Sequence, residues 1–275
     1  MVDFNFKDKY NCADLVDIME LLRKPGGCPW DAEQTHQSIK KSLIEETYEV
    51  IEAINKDDKV LLEEELGDLL MQVVFHAQME RETGNFDFDD VADGICKKLI
   101  IRHPHIFGEV KADTVDEVLT NWDKIKMQTK GQKSATDSMI SVPRELPALM
   151  RATKLQKKAA DVGFDWPDVT GAVDKLYEEI DELKEAIEEG DKAHIDEELG
   201  DLLFSAVNVS RFVKVDAEES LTGASDKFLK RFTEVEKKAK ERGIDMTKVG
   251  IDVLDVLWDE VKAEQKKVYD RFSVS

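Results

Sequence analysis

Two short acidic motifs in the first half of the chain have the spacing of a metal-binding site. Glu46 and Glu49 lie three residues apart, and so do Glu65 and Asp68. Because residues three apart project from the same side of a helix, each pair presents two carboxylates together. Carboxylate oxygens are hard ligands and select Mg²⁺, or Mn²⁺ as a substitute, when neither histidine nor cysteine joins them. The pattern predicts an oxygen-only site for a divalent cation.

The same acidic pattern recurs in the second half of the chain. Glu179 and Glu182 form one pair there, and Glu198 and Asp201 form the other. Each residue lies 133 positions after its first-half counterpart. A repeat of this length indicates a duplicated domain, because solenoid repeats are about 20–50 residues long.

A glycine interrupts each helix that carries the second acidic pair. The heptapeptide EELGDLL occupies residues 64–70 and 197–203, so that Gly67 and Gly200 directly precede the aspartates. Glycine inside a helix costs about 1 kcal/mol relative to alanine. We therefore expect either a ligand or a closely packed helix to approach the backbone there, because both need the side chain to be absent.

The acids fall on the apolar sides of their helices. Around Glu65 and Asp68, apolar residues recur at steps of three and four and form one stripe: Leu62, Leu66, Leu69, Val73 and Ala77. Four carboxylates turned toward a core need compensating cations. The short connections NKDDK and EEGDK predict antiparallel hairpins that bring the pairs together. Di-iron carboxylate bundles are an alternative, but they need two ExxH motifs, and Glu33–His36 has no second-half partner.

The composition of the chain favours helices throughout. Of its 275 residues, 41% are hydrophobic and only 6 are prolines, and the apolar periodicity is helical through most of the chain. The stretch TVDEVL begins with Thr114 and Glu117 at the spacing of a capping box. We expect an all-α fold of two tandem helical-bundle domains, at residues 1–130 and 148–275. A linker rich in Gly, Ser, Thr and Pro joins them at residues 131–147.

The charge and cysteine content limit the partners and the compartment. A formal net charge of −21 repels nucleic acids and anionic membranes, so we expect neither as a partner. The three cysteines form no CxxC motif, which excludes the usual zinc and disulfide patterns. The segment MVDFNFKDKY does not have the pattern of a signal peptide, and no apolar run approaches the ~20 residues of a membrane span. We expect a cytoplasmic protein.

Together the motifs resemble those of a known enzyme family. The order EExxE and then ExxD, present in both halves, is similar to the signature of the all-α nucleoside triphosphate pyrophosphohydrolases. The stretches GGCPWDAEQTHQSIKKSLIEETYEVIEAI and RHPHIFG closely resemble the tandem MazG proteins within that superfamily. The resemblance covers nearly the whole chain. It implies Mg²⁺-dependent hydrolysis of ribo- or deoxyribonucleoside triphosphates, ATP among them, to the monophosphate and pyrophosphate, by a homodimer.

The resemblance also implies roles for individual residues. It assigns metal ligands in both halves: Glu179, Glu182, Glu198 and Asp201 in the second, and Glu46, Glu49, Glu65 and Asp68 in the first. Glu178, Glu179 and Glu182 are the candidate catalytic acids, with Glu178 as general base or second-metal ligand. For the substrate, Lys175, Lys227 and Arg231 would contact the phosphates, and Trp258 would stack on the base.

The first half departs from this pattern at two places. Ser42 occupies the position equivalent to Lys175, and Pro104 follows Arg102 closely enough to break the helix that carries Lys98 and Arg102. We therefore expect the C-terminal site to perform most of the catalysis, with the N-terminal site weaker or structural.

Two other functions remain compatible with the residues. One is a house-cleaning hydrolase of the same superfamily that acts on dUTP or noncanonical nucleotides, since pocket shape decides base selection. The other is a non-enzymatic helical module that binds nucleotides and keeps the acids only for folding. The complete acid sets in both halves argue against this second alternative.

Overall fold

The computed structural model describes residues 4–129 and 134–272, in which every regular element is an α-helix. The chain divides into two compact units, Met1–Thr129 and Lys130–Ser275, which we call the first and second units. The all-α fold expected from the sequence is confirmed. Within the described part of the chain, no helix is both long and apolar enough to cross a membrane.

The first unit is built around a long helical hairpin. Its described residues form these helices: α1 (Cys12–Arg23), α2 (Pro29–Glu33), α3 (Lys40–Asn55), α4 (Lys59–Thr83), α5 (Phe88–Arg102), α6 (Pro104–Phe107) and α7 (Val115–Thr129). Helices α3 and α4 pack against each other as the hairpin, α1 packs on α4, and α5 contacts both α4 and α7. Helix α7 begins at the predicted capping box, where the Glu117 N–H donates to Thr114 Oγ1 at 3.3 Å.

The second unit repeats the hairpin and adds a long helix pair. Its described residues form these helices: α8 (Ala135–Ile140), α9 (Ala148–Ala160), α10 (Val169–Glu189), α11 (Lys192–Phe212), α12 (Ala217–Glu241) and α13 (Ile251–Phe272). Helices α10 and α11 form the hairpin, α9 packs on α11 and α12, and α13 packs on α12. The hairpins expected from the short connections are thus present in both units.

The segment expected to be a linker is largely folded. Residues 131–133 lie outside the described residues, but α8 occupies the middle of the segment 131–147 and packs on α9. Ser138 and Val142 are buried, and Lys158 of α9 hydrogen-bonds to the Ser138 hydroxyl. This segment therefore belongs to the second unit.

The turns of the two hairpins use the same backbone geometry. Asp57 and Gly190, 133 positions apart, both adopt positive φ, at 51° and 75°. Glycine takes this left-handed conformation freely, and aspartate tolerates it better than most residues. The following residue caps the next helix in each case, since the carboxylates of Asp58 and Asp191 accept backbone N–H groups of α4 and α11. This shared turn sets the pairing of the helices that carry the acids.

The apolar stripe predicted on α4 is covered only at its C-terminal end. Ala77 is buried and Leu62 and Leu69 are half-buried, but Leu66 and Val73 are 49% and 37% exposed. The expectation of a continuously buried stripe is therefore wrong for the single chain. Apolar periodicity identifies the face of a helix but not what covers it, and α1 covers only the later turns of α4.

Candidate active site

Three glutamates of the second unit meet at the α10–α11 hairpin. Glu179 and Glu182 project from α10 and Glu198 projects from α11. One carboxylate oxygen of each lies within 4.8 Å of the other two. We call these three residues the second carboxylate cluster. It offers only oxygen ligands, the kind that Mg²⁺ and Mn²⁺ prefer.

The first unit holds an equivalent group at the α3–α4 hairpin. Glu46 and Glu49 project from α3 and Glu65 projects from α4. Their carboxylate oxygens again lie within 4.8 Å of one another. We call these residues the first carboxylate cluster.

A regular seven-residue spacing turns one glutamate of each cluster toward the partner helix. On α10, Ala172, Glu179 and Ala186 are 1%, 4% and 0% exposed. Seven residues are about two helical turns, so these side chains share one side of the helix. The corresponding positions of the first unit hold Ile39, Glu46 and Ala53. The small or apolar neighbours bring the paired helices close, and the glutamate between them is partly or fully desolvated.

In the described part of the chain, the first carboxylate cluster has no internal counter-ion. Burial raises the pKa of Glu46, and the nearby charges of Asp68 and Glu49 raise it further. The pKa of Glu65 is also raised, first by burial and then by the charge of Glu49. Among the described residues, no lysine or arginine nitrogen lies within 4.0 Å of the carboxylates of this cluster. Its negative charge is therefore uncompensated by any cationic side chain that the structure describes.

The second carboxylate cluster, in contrast, has a lysine beside it. Lys175 Nζ lies 2.7 Å from Glu178 Oε1, 2.8 Å from Glu179 Oε1 and 3.9 Å from Glu182 Oε2. Hydrogen bonds to Glu178 and Glu179 raise the pKa of Lys175 above its usual value. Burial raises the pKa of Glu182, and the positive charge of Lys175 opposes that rise. Lys175 therefore partly neutralises Glu179 and Glu182, the two α10 glutamates of the second carboxylate cluster.

One oxygen of Glu179 is buried without a partner. The side chain is only 5% exposed, Oε1 accepts from Lys175, and Oε2 has no hydrogen-bond donor among the described residues. Leaving a buried carboxylate oxygen without a donor carries a desolvation cost of a few kcal/mol. A cation bound among the three glutamates would satisfy this oxygen.

Three of the predicted acids lie outside these clusters. Asp68 is close enough for its charge to raise the pKa of Glu46, but it is not one of the three mutually close carboxylates. Asp201 is exposed on α11, one turn beyond Glu198, and also lies outside the group. Glu178 is 58% exposed and pairs with Lys175. The structure therefore brings together three of the four predicted ligands in each unit.

The predicted phosphate- and base-binding residues lie on the α12–α13 pair. Lys227, Arg231, Lys262 and Lys266 line a groove of about 720 Å³ between these helices. The guanidinium of Arg231 lies 5.9 Å from the ring centroid of Trp258. Four basic side chains beside an aromatic ring can attract an anion and hold a planar group.

The first unit has a comparable cation and aromatic pair in a different setting. The Arg102 guanidinium lies 5.2 Å from the ring centroid of Trp122, and His103 contacts the same ring edge-on at 5.0 Å. Helix α5 ends at Arg102 and α6 starts at Pro104, so the predicted break of this helix is confirmed. Lys98 is exposed one turn earlier.

Sequence reasoning missed one histidine beside the second carboxylate cluster. His194 Nε2 lies 3.3 Å from Glu198 Oε1, and Nδ1 lies 3.0 Å from Glu189 Oε2. The hydrogen bond to Glu189, followed by the negative charges of Glu189 and Glu198, raises the pKa of His194. The four-residue separation between His194 and Glu198 on one helix was the signal that could have revealed this contact.

The histidine of the single ExxH motif has other partners. His36 Nδ1 lies 2.7 Å from His76 Nδ1, and His36 Nε2 lies 2.6 Å from Glu80 Oε1. His76 and Glu80 are 11 and 15 residues beyond Glu65 on α4, which places them about 16 Å or more further along the helix axis. This histidine pair is therefore separate from the first carboxylate cluster.

The two glycines beside the aspartates do not mark tight packing within the chain. A Cβ added at Gly67 or Gly200 would meet no atom of the described residues within 4 Å. The expectation of a closely packed intramolecular helix at these positions is therefore wrong. Close approach of a ligand, or of a helix from a second copy of the chain, remains to explain the two glycines.

The comparisons with known proteins agree with this duplicated architecture. The model of the MazG nucleotide pyrophosphohydrolase domain matches the chain twice, at residues 34–107 and 169–236, and so includes both hairpins. The chain is 47% identical over 254 residues to the nucleoside triphosphate pyrophosphohydrolase of Escherichia coli K12, covering 91% of this chain and 97% of that protein.

Two further relatives extend the comparison. The chain is 46% identical over 249 residues to a Thermotoga maritima protein named nucleoside triphosphate pyrophosphohydrolase/pyrophosphatase MazG, covering 90% and 94% of the two chains. It is also 46% identical over 253 residues to the uncharacterized protein YabN of Bacillus subtilis, covering 91% of this chain and 51% of that protein. The chain therefore belongs to the MazG nucleotide pyrophosphohydrolase family, a family of hydrolases, and carries its domain twice.

Proposed function

We propose that this enzyme uses Mg²⁺ to hydrolyse nucleoside triphosphates to nucleoside monophosphates and pyrophosphate, and that the second unit performs most of the turnover. The observation that carries the proposal is the second carboxylate cluster, where a buried, unpartnered oxygen of Glu179 lies beside Lys175. The names of the E. coli and T. maritima relatives support the same reaction.

The reaction breaks the bond between the α-phosphorus and the oxygen that bridges it to the β-phosphate. Water supplies the new oxygen on the α-phosphorus and loses a proton, and pyrophosphate leaves. When bound, Mg²⁺, or Mn²⁺ in its place, supplies Lewis-acid polarisation of the phosphate oxygens. Glu179, Glu182 and Glu198 would hold the metal, with Asp201 completing the set.

The remaining acid of the motif has a different assignment. Glu178 pairs with Lys175 through Oε1 and lies outside the cluster, and its side chain is exposed, so a water molecule or a substrate can reach its carboxylate. We assign it the role of accepting the proton of the attacking water, as a general base.

The substrate's own charge needs positive side chains. Lys227 and Arg231 contribute such charge in the α12–α13 groove, and Lys175 contributes it at the cluster. Trp258, beside Arg231, would receive the base. The α12–α13 pair would therefore contact both the phosphates and the base, and the α10–α11 hairpin would hold the metal and contact the phosphates through Lys175.

The asymmetry between the units follows from their cations. The second unit has Lys175 at its cluster, whereas Ser42 stands at the equivalent place of the first. The basic pair of the first unit ends at a broken helix, with Arg102 followed by α6. Fewer groups are thus available there to hold a triphosphate in position.

A homodimer is part of the proposal. The α10–α11 hairpin exposes large apolar side chains, among them Tyr177, Leu199, Leu203 and Phe204, between 44% and 65% exposed. Exposed apolar surface of this kind marks an interface. Light scattering should give twice the 31.3 kDa mass of the chain, and a mass of 31.3 kDa would refute this part.

We also propose a cytoplasmic location. The three cysteines are free thiols, as is usual in a reducing compartment. The acidic net charge argues against nucleic acids and membranes as partners.

The test of the reaction is product identity. The enzyme is incubated with each common ribo- and deoxyribonucleoside triphosphate, and with dUTP and noncanonical nucleotides, in Mg²⁺ and in EDTA. We expect monophosphate and pyrophosphate in equal amounts with Mg²⁺, and no turnover with EDTA. Orthophosphate with a diphosphate product would overturn the proposed bond cleavage, and no turnover on any nucleotide would favour a binding module.

A further inference from the structure

Lys175 occupies one side of the second carboxylate cluster. Its ammonium contacts Glu179 Oε1 at 2.8 Å and lies 3.9 Å from Glu182 Oε2, so it approaches two of the three glutamates proposed to hold a metal. The lysine side chain is 34% exposed, so solvent and solutes reach it, whereas the Glu179 side chain is 5% exposed. The ammonium therefore uses oxygens that a divalent cation would also need.

The first unit provides an internal comparison, because its equivalent positions carry no cation. Ser42 stands at the place of Lys175, and Leu61 stands at the place of His194, each 133 residues earlier. The two units thus present the same three glutamates with and without built-in positive charge.

We infer that Lys175 is an internal counter-ion that blocks the second carboxylate cluster to free metal ions, and that nucleotide phosphate draws it away so that metal and nucleotide bind together. The first carboxylate cluster, without such a lysine, binds a divalent cation in the absence of nucleotide. This inference rests on the proposed function, because it takes the cluster to be the metal site of the hydrolase.

Competition for the same oxygens gives the physical reason. A metal ligated by Glu179 at ~2 Å would lie within a few ångströms of an ammonium bonded to the same carboxylate, and the two positive charges repel. Lysine is a mobile point charge on a flexible four-carbon stem, so it can move without the helix moving. Phosphate oxygens are strong acceptors for its ammonium.

If nucleotide displaces Lys175 in this way, nucleotide and metal must strengthen each other's binding. If nucleotide strengthens metal binding at the second unit, metal must strengthen nucleotide binding by the same factor. A lysine that only contacts phosphate would weaken nucleotide binding when removed and would leave metal binding without nucleotide unchanged. Nucleotide-free metal affinity therefore separates the two roles, and it does not depend on turnover.

The experiment measures Mn²⁺ binding to the full chain by calorimetry and by the EPR signal of free Mn²⁺, without nucleotide. All proteins carry Glu46→Gln, which weakens the first carboxylate cluster, so that the second can be measured. Lys175→Met removes the charge and keeps the methylene stem. We expect Mn²⁺ to bind this variant about tenfold more tightly than the parent, within the usual 5–150-fold range of coupling between sites.

The matched control lies on the same helix. Lys184 pairs with Asp181 at 2.7 Å and is 65% exposed, away from the cluster contacts. Lys184→Met removes the same net charge, and we expect it to change Mn²⁺ affinity less than about twofold, because exposed charges are screened. Equal effects of the two substitutions would overturn the inference, since net charge alone would explain them.

A second variant, which adds a lysine to the first unit, keeps the test decisive if Lys175→Met folds poorly. Ser42→Lys, in a chain whose second cluster is weakened by Glu179→Gln, introduces the missing counter-ion into the first unit. We expect Mn²⁺ affinity of the first unit to fall about tenfold. Unchanged affinity in this variant would count against Lys175 as a blocking counter-ion.

The last measurement compares Mn²⁺ affinity with and without a nucleotide analogue. The α,β-methylene analogue of ATP, which resists α–β cleavage, should raise Mn²⁺ affinity of the Glu46→Gln parent about tenfold, and that of Lys175→Met much less. If triphosphates yield pyrophosphate but Lys175→Met leaves Mn²⁺ affinity unchanged within about twofold, the inference fails and the proposed function stands. If no protein binds Mn²⁺ and no pyrophosphate forms, the proposed function fails as well.

Discussion

His36 and His76 lie with their Nδ1 atoms 2.7 Å apart and their rings nearly parallel. One of these nitrogens must donate to the other. His36 Nε2–H donates to the Glu80 carboxylate at 2.6 Å, so in neutral His36 the Nδ1 atom accepts from His76. This leaves His76 Nε2, which is buried without a partner among the described residues, as a bare acceptor. The geometry therefore favours a neutral His76.

We predict that acid destabilises the first unit through His76. Burial, and then the neighbouring His36, lower the pKa of His76 from 6.5. In acid the unfolded chain therefore protonates His76 more readily than the folded chain does. This contribution to stability is complete above pH 6.5 and is lost as pH falls from there through the lowered pKa of the folded protein. Hydrogen exchange should show lower opening free energies in α1 and α4 at about pH 5.5 than at about pH 7.5. His76→Phe should remove that difference.

The second unit is a control for this prediction, because the pKa of its histidine, His194, is shifted in the opposite direction. The pKa of His194 is raised by its hydrogen bond to Glu189, so its contribution is complete below pH 6.5 and is lost as pH rises through the raised value. Opening free energies in α10 and α11 should thus not fall over the range in which those of the first unit do. A uniform response of both units would show that His76 is not the cause.

Gly200→Ala should stabilise the second unit and impair the enzyme. An added Cβ meets no atom of the described residues within 4 Å, and alanine improves helix stability by up to about 1 kcal/mol. If a ligand approaches this backbone, the same methyl should lower kcat/KM by a factor on the order of 10², as an ångström-scale displacement does. Gly94→Ala, equally unobstructed within α5, should stabilise its helix and leave kcat/KM unchanged. Full activity of Gly200→Ala would exclude the ligand explanation.

Much of the architecture was predictable because it depends on short-range patterns. Helices, hairpin turns and the Thr114 capping box follow from periodicity and local hydrogen bonding. The convergence of Glu179 and Glu198 followed from three-residue spacing and a short connection. The exposure of Leu66 and the open space at Gly200 could not be predicted from the sequence, because both depend on what covers a helix face. Side-chain contacts such as His36–His76 need the tertiary fold.

The two carboxylate clusters should differ in their effect on turnover. Glu179→Gln keeps the shape of the buried side chain but removes the charge needed to hold a cation. We expect kcat/KM to fall at least about 100-fold, since such a metal contributes several kcal/mol to the transition state. Glu46→Gln, the same change in the first unit, should reduce kcat/KM less than about threefold. Pyrophosphate release under steady-state conditions measures both, and equal losses would contradict the dominance of the second unit.

Leu257→Ala should damage the α12–α13 pair that carries the proposed substrate groove. Leu257 is 1% exposed and packs with Val235, Ala239 and Val261. Truncating a buried leucine typically costs about 2–5 kcal/mol, from lost apolar burial and the cavity left behind. Because Trp258 is its neighbour on α13, we expect KM for nucleotides to rise as well. Val256→Ala, at a position 58% exposed, should change the unfolding free energy by less than about 0.5 kcal/mol. Denaturant unfolding of both variants measures this difference, and similar losses would mean that the α12–α13 core does not hold the groove together.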